Sequence, residues 1–369
     1  MEGRNNFSQN IGTILVKEEE KMQLTFLLGN GFDKAIGLDT GYGDFYNWYQ
    51  QQPDESDDIK YLKSSIKGNE KTTWADFEIA LGQFTAEFDN ADRFCKCFSY
   101  AKNSLIQYLT EEYNTKISTK KDFLKSATYR LIERSQNVDK DLSDENKKIF
   151  SISKAEKMIF NCVSFNYTPV FRDGWDDMTQ NATGISDRDE WYHNYELGEI
   201  INVHGLLDDH PILGVDHVEQ IANEAFRTNE RVVQMMVKGE ADKAIGAGWR
   251  SRAHNIVQKS DKIYVYGMSL GDTDMFWWMI LANWLEASPS HQLAIYCHPR
   301  ASEDDMSREK ERVINCISRH LTNNEMRARI AIDNVEKNMI VSFVSLSANK
   351  TIRIEASANI TACDKSINQ

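Results

Sequence analysis

Apolar and polar positions change rhythm twice along this chain. QLTFLL (23–28) is a short continuous apolar run, the pattern of a strand buried on both faces. From about 42 to 155 the period lengthens. WADFEIALGQFTAEF (74–88) places Phe77, Leu81, Phe84 and Phe88 at spacings of four, three and four, one stripe of a helix. Residues 91–113 and 120–135 continue as charged amphipathic helices, with QQPDESDD and SQNVDKDLSDENKK as exposed connections. From 157 the short runs return: KMIFNCVSF (157–165), EIINVHG (199–205), PILGV (211–215), KIYVYG (262–267), QLAIYCH (292–298) and MIVSFVSL (339–346). Helical patterns separate several of them. Short buried strands alternating with helices predict an α/β fold on a largely parallel sheet. The expected division is an α/β unit built from 22–50 plus 156–369, with a long helical insertion, 51–155, after the first strand.

The first 21 residues are polar and lack periodicity. KEEEK just before Met22 is what a purine-rich ribosome-binding site would give if translated. The natural start is therefore expected at Met22, with 1–21 a leader; a disordered tail is the alternative.

Composition narrows the class. The 369 residues suggest about two domains, and 41% hydrophobic content suits a packed protein. A net charge of −13 argues against bulk nucleic-acid binding and leaves room only for a local basic cleft. None of the six cysteines forms a C-x-x-C pair, so reduced thiols in a cytoplasm are expected. MFWWMILANWL (275–285) is shorter than the ~20 apolar residues of a membrane span. Bracketed by Asp274 and Glu286, it is read as a buried helix, and no membrane association is expected.

Ligands of open α/β sheets sit beyond the carboxyl ends of the strands, so the residues after each strand matter most. The first strand is followed by Gly29, Asn30, Gly31, Phe32 and Asp33. Asn166 follows NCVSF, His204 follows INV, and Gly267, Ser269, Leu270 and Asp272 follow IYVY. Together they are read as one nucleotide site. The two glycines let backbone approach a pyrophosphate. Asp33 caps a helix or bonds a ribose hydroxyl; Asn166 offers a donor and an acceptor; His204 is a candidate base. Blander readings stay open: an empty strand-to-helix turn, an Asx-turn at Asn166, a structural His204, and Asp272 as a helix cap.

These clusters, in this order, resemble the sirtuin-type NAD-binding fold. Gly29-x-Gly31-x-Asp33 followed by Gly37-Leu38 is similar to its phosphate turn, Asn166 to its asparagine motif, His204-Gly205 to its histidine motif, and Gly267-x-Ser269 to its adenosine-side motif. A closer resemblance is to the AbiH-like abortive-infection family of bacterial phage-defence proteins, carried by LLGNGFDKAIGLDTGYGDF, WADFEIALG, FNYT, VHG and YVYGMSLGDTD. The resemblance implies a sirtuin-like, Rossmann-type sheet with NAD as ligand or substrate. It implies Asn166 and His204 as catalytic residues, and Gly29, Asn30, Gly31, Phe32, Asp33, Gly267, Ser269, Leu270 and Asp272 as the nucleotide-binding set. It also implies a phage-derived or host activator; a homo-oligomer is a further expectation. The zinc ribbon of sirtuin deacylases, built on C-x-x-C pairs, has no counterpart here, and Asp33 stands where sirtuins have serine. Cleavage of NAD by water is thus favoured over protein deacylation.

Two rival readings remain. One is an NAD or ADP-ribose sensor without turnover. The other is a metal-dependent hydrolase or nuclease built on His204, Asp208, Asp209, His210, Asp216 and His217 of HGLLDDHPILGVDH. The histidine spacings of six and seven fit no single helix face, and no metal is expected.

Overall fold

The computed structural model describes residues 21–66, 74–136, 157–180, 195–269, 271–299, 302–322 and 339–346. The leader, apart from Lys21, and Leu270 lie outside the described residues. Strand β1 (Lys21–Leu28) opens this part of the chain and is followed by a short α1 (Gly31–Ala35). Five helices come next: α2 (Tyr42–Gln50), α3 (Asp57–Ser65), α4 (Trp74–Phe84), α5 (Ala91–Lys116) and α6 (Lys121–Gln136). The chain then returns as β2 (Lys157–Ser164), α7 (Val170–Gln180) and β3 (Tyr195–Asn202). An irregular stretch leads to α8 (Glu230–Met236), α9 (Lys238–Ile245) and α10 (Trp249–Lys259). The remainder alternates: β4 (Lys262–Tyr266), α11 (Met275–Ala287), β5 (Gln292–Cys297), α12 (Glu303–Ser318) and β6 (Met339–Phe343).

Among the described residues the six strands are all parallel, in the order β3-β2-β1-β4-β5-β6. Alternation along β1 explains why both faces are covered. Leu24, Phe26 and Leu28 pack with Phe32, Leu124, Leu131, Phe171 and Trp175 of α1, α6 and α7. Leu27, one residue out of phase, packs with Val257, Trp277, Trp278 and Ile317 of α10, α11 and α12. The apolar run 275–285 is the buried helix α11, and among the described residues no helix is long and apolar enough to cross a membrane.

A separate core lies in the helical region. Phe45 of α2, Leu62, Phe77, Leu81, Phe94 and Phe98 share it with Leu213, Val215, Phe226 and Met236 from beyond β3. Here the apolar run 211–215 departs from its expected role as a sheet strand. Val215 makes only an isolated bridge with Val237, because Leu213 and Val215 are taken up by the helical core.

Candidate functional site

Register decides which side chains meet. Leu28 pairs with both Ser164 and Tyr266, and Ser164 pairs with Asn202. β1, β2, β3 and β4 therefore end level with one another, and the residues after each must sit side by side. The order of strands reverses between β1 and β4, the position at which open α/β sheets leave a crevice. A cavity of about 650 Å³ opens there, lined by Gly29, Asn30, Gly31, Asp33, Asn166, His204, Gly267 and Ser269 among others. The structure thus brings together eight of the residues singled out from the sequence. Two others go elsewhere. Phe32 sends its ring into the core, edge-on to Tyr266, and Asp272 lies outside the cavity lining, its carbonyl accepting from Gln220. The N-cap position of α11 belongs to Asp274, not Asp272, and the Asp274 side chain makes no capping bond.

The glycines serve a close crossing of two loops. A Cβ on Gly29 would stand 2.5 Å from the Gly267 carbonyl oxygen, and one on Gly31 would stand 2.5 Å from the Gly267 Cα. The N–H groups of Gly29 and Gly31 donate to the carbonyls of Tyr266 and Gly267, both at 3.0 Å. Any side chain here would force β1 and β4 loops apart.

Next to the turn, Asp33 is buried and bonded through both oxygens. Asn166 Nδ2 donates to Oδ1 at 2.6 Å, and Thr168 Oγ1 donates to Oδ2 at 2.6 Å. Asn166 Nδ2 also donates to the Gly29 carbonyl at 3.2 Å. Burial pushes the Asp33 carboxyl up to about 7, although the two donated hydrogen bonds oppose that rise.

On the far wall, the His204 ring sits edge-on to Phe165 and tilted against Tyr167. Its Nδ1 donates to the Phe165 carbonyl at 3.2 Å, which leaves Nε2 facing Asp274 Oδ1 at 3.5 Å. Behind them Lys238 Nζ donates to Asp274 Oδ1 (3.0 Å), Glu78 Oε2 (3.0 Å) and the Thr273 carbonyl (3.1 Å). Burial alone would raise the Asp274 carboxyl; the Lys238 ammonium and His204 together outweigh it and hold the group far below the ordinary carboxylate range. Burial dominates at Glu78 and raises it despite Lys238. The Lys238 ammonium is held above its ordinary value, because its two acidic neighbours overcome the cost of burial.

Glu78, Thr168, Lys238 and Asp274 are cavity residues that sequence reasoning did not select. Glu78 and Thr168 lay inside the quoted stretches WADFEIALG and FNYT. An acid one position from the apolar stripe of a buried helix was the available signal. Lys238, a lone cation after VVQMMV, carried none.

The other histidines of 204–217 face away from this wall. His210 is exposed beside Asp209, and His217 is exposed beside Asp216. Among the described residues no three His, Cys, Asp or Glu side chains gather in a way that would hold a metal ion.

The protein family described as Bacteriophage abortive infection AbiH matches residues 25–296. That span includes both carboxylate clusters and the glycine turn. No curated protein matches the chain.

Proposed function

We propose, for a chain that belongs to the AbiH family of bacteriophage abortive infection, that the cavity at the strand ends binds NAD and hydrolyses its nicotinamide–ribose bond. The protein would then act as an effector that consumes NAD once infection releases an activator. One observation carries this reading: level, parallel strand ends deliver a close-packed glycine turn, an amide and a histidine to a single cavity where the strand order reverses. The order is that of doubly wound dinucleotide-binding sheets, and the proposed form of it is sirtuin-like. The cavity is within the ~300–1,000 Å³ of small-molecule and cofactor sites.

In the proposed reaction the C1′–N bond breaks and its electron pair leaves on the nicotinamide ring, through an oxocarbenium-like state. Water adds its oxygen to C1′ and yields a proton to His204 Nε2. The adjacent Asp274 carboxylate stabilises the imidazolium that forms. Asn166 holds the ribose or the attacking water. The products are nicotinamide and ADP-ribose.

The test is purified protein incubated with NAD and scored for both products. Asn166→Ala and His204→Ala should each lose about 10²- to 10⁴-fold of turnover while remaining folded. Unchanged turnover in both variants would overturn the assignment. Binding without product would leave a nucleotide sensor in its place.

A further inference from the structure

The Asn166 amide has two hydrogens and one oxygen, and both hydrogens are spent within the protein. One goes to the Gly29 carbonyl and the other to Asp33 Oδ1. Asn166 is buried, yet it lines the cavity. Its Oδ1 has no hydrogen-bond partner among the described residues. Asp33 is in turn fixed by Thr168. The Thr168 hydroxyl can donate or accept, so it fits the carboxylate and the carboxyl form of Asp33 alike. An asparagine free to turn would offer a donor on one face or the other; this one cannot.

We propose that Asp33, backed by Thr168, is a positioning residue that locks the Asn166 amide with only its acceptor oxygen presented to the cavity. The group that Asn166 contacts must therefore carry a hydrogen to give: a ribose hydroxyl or a water, and not a phosphate or carboxylate oxygen. This assigns to Asp33 a role that the serine of the resembling fold does not predict. The serine-for-aspartate departure becomes the second half of the asparagine motif.

The inference deepens the NAD reading, so its test has one arm that depends on turnover and one that does not. In ¹⁵N-labelled protein, the side-chain amide signals of Asn166, identified by their loss in Asn166→Ala, should exchange slowly with solvent. Asp33→Leu should speed that exchange by about tenfold or more, the worth of one hydrogen bond to a charged or buried acceptor. Asp33→Asn, which keeps an acceptor at the same place, should speed it far less. With NAD, Asp33→Leu should lower kcat about tenfold or more with little change in KM, and Asp33→Asn should recover part of the loss. If exchange in Asp33→Leu matches the wild type, the inference is overturned whatever the kinetics. If the wild-type protein releases no nicotinamide, the NAD reading falls and the exchange arm still decides the role of Asp33. Should Asp33→Leu not fold, Thr168→Val, which removes only the clamp behind Asp33, gives the same comparison: faster exchange supports the role and unchanged exchange overturns it.

Discussion

Buried Asp33 and half-buried Asp274 line one cavity, and their surroundings push the two carboxyl groups in opposite directions. Asp33 is met only by neutral donors, an amide and a hydroxyl, and burial raises it to about 7. Asp274 is met by the Lys238 ammonium and by His204, and it stays ionised far below the ordinary range. At Asp33 the hydrogen bonds from neutral dipoles do not offset the loss of water around a charge, whereas at Asp274 the Lys238 ammonium and His204 together do. The difference separates two tasks. A group poised near neutrality can change charge or hold a neutral arrangement. A permanently charged one can steady an imidazolium. Pairs of acids driven apart in this way are a recurring mark of acid–base sites.

The strongest test of the contrast removes its cause. Lys238→Met leaves half-buried Asp274 and buried Glu78 without the Lys238 ammonium, and should cost on the order of 3–5 kcal/mol in urea unfolding. Asp33 answers to pH instead. Its folded value lies above the ordinary 3.8, so its contribution to stability is fully present below about pH 4 and is lost as the pH rises through about 7. Asp33→Asn should abolish that loss. The variant's stability relative to the wild type should climb by up to about 4 kcal/mol across this window, roughly three units at ~1.36 kcal/mol each. The Asp274 contribution has the opposite sign: it is present above its ordinary value and lost as the pH falls below it. Denaturation midpoints measured from about pH 2 to pH 8 would show whether the two slopes separate as described.

Smaller effects probe the frame around the two acids. Gly31→Ala places a methyl against the Gly267 backbone and should destabilise by about 1–3 kcal/mol, read as a lowered thermal midpoint. Glu78→Gln should cost least, about 1 kcal/mol, since burial already favours the uncharged form and glutamine keeps an acceptor for Lys238. A Glu78→Gln loss as large as that of Lys238→Met would mean that Glu78 carries the balancing charge, contrary to its raised carboxyl.

Legibility varied from place to place for physical reasons. Strands β1, β2, β4 and β5 were visible as continuous apolar runs because both faces of a parallel sheet are covered. The run at 211–215 has the same composition, yet it serves the helical core; apolar content reports burial and not the surface that provides it. Asn166 and His204 could be found because they directly follow strands. Lys238 could not, because it is brought to the cavity by a helix remote in sequence from every strand end.

By itself the sequence determined the parallel α/β class, the run of helices after the first strand and the strand-end residues, since periodicity and turn chemistry are local properties of the chain. The tertiary structure decided the rest. It showed that the glycine turn is shaped by the Gly267 loop, that Asp33 and Asn166 bind each other, and that Glu78 and Lys238 stand behind Asp274 and His204. Each of these is a contact between segments distant in sequence. Only the sheet register and the packing of the helical core onto the cavity bring such segments within hydrogen-bonding reach.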